Sequence, residues 1–237
     1  MKRFFIYIIL TIFLLSLSGC MNSESDTTFQ HQAYKAQLVA VQDAIDSYHK
    51  DTGVLPIKNS TEDTPIYQKY RIDFKKLKEY LPNPPSDAYE QGGDFEYVLI
   101  NPEKDPTVKV IDMSLVSKVQ DLNRDIQVYY SNHKFSPLKD ILADGRYSID
   151  YKALGYKKPL TVTSPYSGRQ LGFILNEKGE ACINYLPDIY DAVKKSNKTY
   201  KEGYDLRQLL TNSTPYVPID SVAYTMKKGE VVFLLNK

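Results

Sequence analysis

The chain has 237 residues, is 42% hydrophobic and 25% charged, and balances 30 Lys and Arg against 29 Asp and Glu. That is too apolar and too aromatic for a disordered chain, and a charge near zero supplies no basic stripe for nucleic acid. Two Cys and three His exclude a disulfide scaffold and a Cys-built zinc site, so neither metal nor cofactor is expected.

Lys2 and Arg3 form a basic start, and Phe4 to Leu17 is almost wholly apolar, broken by Tyr7, Thr11 and Ser16. This run is too short for a comfortable membrane span of about 20 residues and reads as a signal peptide over 1–19. It ends in Leu17-Ser18-Gly19-Cys20, which resembles the bacterial lipobox. The resemblance implies cleavage before Cys20, diacylglycerylation of its thiol and, often, acylation of the new N-terminus. Each buried methylene adds about 0.8 kcal/mol, so two or three acyl chains hold a protein to the membrane firmly. Residues 20–33 begin with polar Met21 to Thr28 and read as a flexible tether. If the Cys20 thiol is acylated, Cys182 has no partner for an intramolecular disulfide.

Beyond the tether the sequence repeats itself. Tyr34, Leu38, Val41, Ile45 and Tyr48 share their spacing with Leu115, Val119, Leu122, Ile126 and Tyr129, each 81 residues later. Both sets make one apolar stripe on a helix, and the two stripes are candidates to meet as a helix pair. Asp51-Thr52-Gly53 is a natural stop for the first helix, and Pro56 and Pro137 follow at the same offset. Tyr70-Arg-Ile-Asp-Phe-Lys-Lys-Leu77 then matches Tyr147-Ser-Ile-Asp-Tyr-Lys-Ala-Leu154, 77 residues apart. Pro-rich turns follow at 81–89 and 159–168. The apolar runs Phe95 to Ile100 and Leu171 to Leu175 read as strands, with hairpin partners in Val108 to Ile111 and Ala181 to Tyr185. Asp188 to Lys195 reads as a short helix and Val222 to Leu235 as a terminal hairpin, a degenerate third copy. The expected fold is therefore α+β: unit 1 over 34–112, unit 2 over 113–186 and a degenerate unit over 187–237, each a helix on a small antiparallel sheet. Units this small are marginal alone and should pack together.

Tyr48…Gly53-Val54-Leu55-Pro56 and the turn Ser164-Pro165-Tyr166-Ser167-Gly168 resemble the globular part of type IV pilins and of the major pseudopilin of type II secretion. That resemblance implies a helix packed on antiparallel strands. The lipobox stands where those proteins carry a prepilin peptidase site and an assembly helix, so pilin-like polymerisation is not expected. A family of Gram-positive lipoproteins with this architecture is the alternative.

Chemistry-bearing residues are few. No G-x-S-x-G, Walker loop, H-E-x-x-H or G-x-G-x-x-G is present. His49 and His133 each follow a helix Tyr and suit a helix C-terminus, while His31 lies near the tether. Cys182, with no base beside it, reads as a small strand residue rather than a nucleophile. Asp73 and Asp150 read as repeated caps for the short helix after each. Of the 20 Tyr, Tyr156, Tyr166, Tyr190, Tyr200 and Tyr216 fall outside the repeated positions and are the candidate binding surface.

The expected protein is not an enzyme. It is a lipid-anchored protein on the extracytoplasmic face of the cell membrane that binds another envelope component, first of all a protein. A small-ligand or cell-wall glycan-binding lipoprotein with a Tyr-rich cleft is the alternative, and a cell-wall hydrolase the second.

Overall fold

A computed structural model describes the backbone of residues 23–235 and the side chains of residues 35–235. The signal peptide and Cys20 lie outside the described residues, as does the side chain of His31. Contacts divide the chain into a unit ending at Ala40 and a unit from Val41 onward. The described part of the first is helical backbone, the start of α1 (Ser23–Thr52). Residues 23–33, expected as part of a flexible tether, are thus helical here. No Gly or Pro interrupts them, and Ser23, Glu24 and Asp26 suit a helix N-terminus.

In the second unit, α1 buries Val41, Ala44 and Ile45 and stops at Gly53. Gly53 has a left-handed φ of 72°, and its N–H donates to His49 O at 2.8 Å. The hairpin β1 (Phe95–Ile100) and β2 (Thr107–Asp112) follows. Its entry is tight: a Cβ at Gly93 would lie 2.2 Å from the Asp87 carbonyl carbon. Helix α2 (Met113–His133) is capped by Asp112, which accepts from Ser114 N at 2.9 Å. Then come β3 (Leu138–Ala143), β4 (Arg146–Ile149), β5 (Val162–Thr163), β6 (Gln170–Leu171), β7 (Phe173–Leu175) and β8 (Ala181–Ile183). Helices α3 (Leu186–Ser196) and α4 (Gln208–Ser213) and the hairpin β9 (Tyr224–Lys227) and β10 (Glu230–Phe233) complete an α+β fold of small antiparallel sheets.

Several pairings occur twice. Ile57 bridges Ile72, and Leu138 pairs with Ile149. Asp73 N donates to Pro56 O and Asp150 N to Pro137 O, both at 2.8 Å. Leu99 N donates to Tyr70 O at 2.8 Å, while Leu175 pairs with Tyr147. Tyr97 and Leu99 face Val110 and Val108, and Phe173 and Leu175 face Ile183 and Ala181. A helix amide clamps each second strand: Gln42 Oε1 accepts from Val108 N at 2.8 Å and Asn123 Oδ1 from Ala181 N at 2.7 Å. Asn123→Ala leaves the Ala181 N–H without that acceptor, and urea unfolding is expected to show a loss of about 1–2 kcal/mol. An unchanged midpoint would mean that water replaces the amide at no cost.

The segment Pro215–Ser221 is a strap along two strand edges. Val110 N donates to Pro215 O at 2.9 Å and Val217 N to Val110 O at 3.1 Å. Further on, Ile183 N donates to Asp220 O at 2.8 Å. The strap thus runs parallel to β2 and then to β8 and satisfies groups on both. The α2 stripe Leu115, Val119, Leu122 and Ile126 shares one core with Leu175, Ile183, Ile189, Leu210, Val217 and Tyr224. Residues after 186 therefore feed that core rather than one of their own. The α1 residues Val41, Ala44 and Ile45 are not members of that core, and α2 packs on β8. Each buried Leu, Ile or Val contributes about 1.5–3 kcal/mol, which favours burying the stripe against the widest apolar surface within reach.

Candidate functional site

The five candidate tyrosines have different surroundings. Tyr166 is half-buried, packs edge-on to Tyr185 at 5.7 Å, and holds its hydroxyl against apolar surroundings that push its pKa well above 10. Tyr156 donates to Asp125, and that hydrogen bond to the carboxylate, more than burial, raises the phenol to about 12. Tyr200 stacks on Tyr204 at 5.3 Å, and Tyr216 lies on the strap against Phe95 at 6.0 Å. Tyr190, on α3, is 59% exposed.

The other candidates also find local roles. Asp73 Oδ1 accepts from Lys75 N and Asp150 Oδ1 from Ala153 N, each at 3.1 Å, so both stabilise the segment that follows them, which is a turn and not the expected short helix. His133 stacks on Tyr129 at 4.0 Å, and its Nδ1 lies 2.9 Å from Tyr129 O at the end of α2. His49 is exposed at the end of α1. Cys182 is buried in β8, and burial, followed by the nearby Asp220 charge, pushes its thiol up to about 12. A thiol so rarely ionised is a poor nucleophile. Among the described residues, no group of three or more His, Cys, Asp or Glu could hold a metal ion, and no helix is long and apolar enough to cross a membrane.

Two features stand out that no sequence motif announced. The first is a cleft around Tyr67 and Arg207. Arg207 Nη2 donates to Asp205 Oδ2 at 2.7 Å and its Nη1 to Ser221 O at 3.0 Å. The guanidinium carbon lies 5.3 Å above the Tyr67 ring. Burial opposes the Arg207 charge, but the Asp205 hydrogen bonds outweigh it and hold the pKa above its ordinary value. Tyr67 and Arg207 both line a cavity of about 330 Å³ that reaches Val119, Glu180 and Asp220. A second cavity of about 400 Å³ shares Ile66 and Tyr67 with it and reaches Tyr70, Asn101 and Gln208.

The second is β3, an outer strand of the sheet ordered β3-β4-β7-β8. At the opposite end of that order, β8 is bridged by the strap at Ser221. Five of the six β3 residues are exposed, so both strand faces point to solvent. They include Leu138, Leu142 and Ile141, the last 79% exposed, and Phe135, exposed like them, leads into the strand. The hairpin loop Asp144-Gly145, with Gly145 at φ 63°, is the local signal that could have found this strand.

The family described as the YphF family N-terminal domain matches residues 34–112, the span read above as the first unit. No curated protein and no solved structure matches the chain.

Proposed function

We propose that this protein is a non-catalytic lipoprotein, anchored through Cys20 on the extracytoplasmic face of the cell membrane, that binds another envelope protein along β3. On this reading the chain after the signal peptide is internally duplicated, and the duplication builds the sheet that ends in β3. The observation that carries the reading is the exposure of Leu138, Ile141 and Leu142 on an outer strand. Solvent-facing aliphatic side chains on an unpaired strand edge cost solubility, and an added strand would cover them and pair the free backbone groups. The register shifts in β3 pairing, on either side of Ile141, twist the edge and so limit indiscriminate pairing.

A photo-crosslinking residue at position 141 of the full chain, in cells, is expected to capture one discrete envelope protein. The same residue at exposed Lys157, outside β3, should not capture it. Cys20→Ala should remove both the adduct and the membrane association. Indistinguishable adducts from positions 141 and 157 would overturn the β3 reading, and a Cys20→Ala protein still held at the membrane would overturn the anchor.

A further inference from the structure

The cavity of about 330 Å³ beside Arg207 has an unusual charge balance. Asp220 and Glu180 both line it. The half-buried Asp220 carboxylate accepts one hydrogen bond, from Gln68 Nε2 to Oδ1 at 3.0 Å. Among the described residues no Lys, Arg or His nitrogen lies within 4.0 Å of it or of the Glu180 carboxylate. The one cation on the lining, Arg207, is engaged by Asp205, Ser221 O and the Tyr67 ring. Asp220 is also fixed in place: its backbone takes a left-handed φ of 47°, and its carbonyl accepts from Ile183 N at 2.8 Å. The rest of the lining is mixed: Pro65, Ile66, Val119, Pro218 and Ile219 give it an apolar part, and Asn176, which donates to Glu180 Oε2 at 2.9 Å, is among its neutral polar groups.

We infer that this cavity binds a small organic ammonium ion, with its charged head on Asp220 and its aliphatic body on the Ile66, Val119 and Ile219 wall. A desolvated carboxylate without a cation is costly, and an ammonium donor supplies both the opposite charge and a charge-assisted hydrogen bond. A metal ion fits less well, since no three acidic, His or Cys groups converge there among the described residues. The apolar wall would also be wasted on a bare ion. Gln68 and Asn123 add neutral hydrogen-bonding capacity around the head. The inference concerns a different surface from β3 and does not depend on it.

Binding should also depend on pH through Asp220. The titratable and charged groups around it are Tyr67 from the loop, Glu180 and Cys182 from the β7–β8 hairpin, Tyr185 after β8, and Arg207 before α4. Facing it, α2 presents only Val119 and Asn123. Of these groups, burial holds Tyr67 and Tyr185 above 10 and Cys182 at about 12, so none of the three ionises near neutrality. Burial raises the Asp220 carboxyl to about 6, against the Gln68 hydrogen bond.

The probe is n-butylammonium chloride, added to the full chain in non-ionic detergent micelles and followed by saturation-transfer NMR, with 1-butanol as the uncharged control. Saturable transfer to n-butylammonium is expected at pH 7.5, about tenfold weaker or more in Asp220→Asn and fading below about pH 6. If Asp220→Asn does not fold, the wild-type pH profile alone carries the decision. No saturable transfer, equal transfer to 1-butanol, an unaffected Asp220→Asn, or a flat profile between pH 5 and 7.5 would each overturn the site. Loss of β3 crosslinking with retained ammonium binding would affect the proposed partner and leave this site standing.

Discussion

Asp188→Ala is expected to cost about 3 kcal/mol of stability and to lower the melting temperature by roughly 6–12 °C. Asp188 is 3% exposed on α3, and its carboxylate accepts from Ser164 Oγ at 2.8 Å and Ser167 Oγ at 2.5 Å. Ser164 Oγ in turn accepts the N–H groups of Tyr166 and Ser167, at 3.0 and 3.2 Å. The carboxylate thus pins a turn that holds Tyr166 against Tyr185, and the turn leads into β6. Alanine removes one acceptor from each of two hydroxyls and leaves Arg169 with Asp191 as its remaining partner. Because the loss falls on a buried network, it should exceed that of an exposed charge by several fold. Chemical denaturation checks it: the midpoint should fall with little change in slope. A loss below about 1 kcal/mol would mean that the turn is held by its backbone bonds, Ser164 N to Arg169 O and Gly168 N to Ser164 O.

The second large effect has the opposite sign. Asp220→Asn should stabilise the protein at pH 7.5, by up to about 3 kcal/mol for a carboxyl raised from 3.8 to about 6. Burial raises the folded carboxyl from 3.8 to about 6, so the folded state holds its proton more tightly than the unfolded chain does. Below about pH 4 both states are protonated and Asp220 costs nothing by this route. Between about pH 4 and 6 the unfolded state loses its proton first, so the wild type loses stability as pH rises. Above about pH 6 the full cost is present. Asparagine is never charged, can still accept from Gln68, and tolerates the left-handed backbone there. The gap between variant and wild type should therefore be smallest near pH 4 and widest above pH 7. A variant no more stable than wild type at pH 7.5 would mean that water reaches the carboxylate more freely than its half-buried position suggests. A charge retained at a cost in stability is the trade-off expected of a binding group.

Much of the architecture was legible because it depends on local chemistry. The stripes of α1 and α2 follow from apolar spacing near 3.6 residues, and the end of α1 from Gly53. The hairpins β1–β2 and β9–β10 follow from short apolar runs around turns. The paired roles of Asp73 and Asp150 follow from side chains that reach backbone two or three residues away. In each case cause and effect lie within a few residues of each other in sequence.

The cleft and the open edge could not be read in this way. Arg207 meets Tyr67 across 140 residues, and Gln68 meets Asp220 across 152. Neither pair sits in a motif, because no local spacing connects its members. The strap Pro215–Ser221 reads as a loop until β2 and β8 lie beside it and supply its hydrogen bonds. The exposure of Leu138, Ile141 and Leu142 has no signal in composition, which cannot tell which strand of a sheet will be outermost. The candidate tyrosines differ in burial for the same reason: amphipathic rings fit a core margin as well as a surface, and their neighbours in space decide between the two. Tyr166 went inward against Tyr185, whereas Tyr190, on the outer face of α3, stayed in solvent.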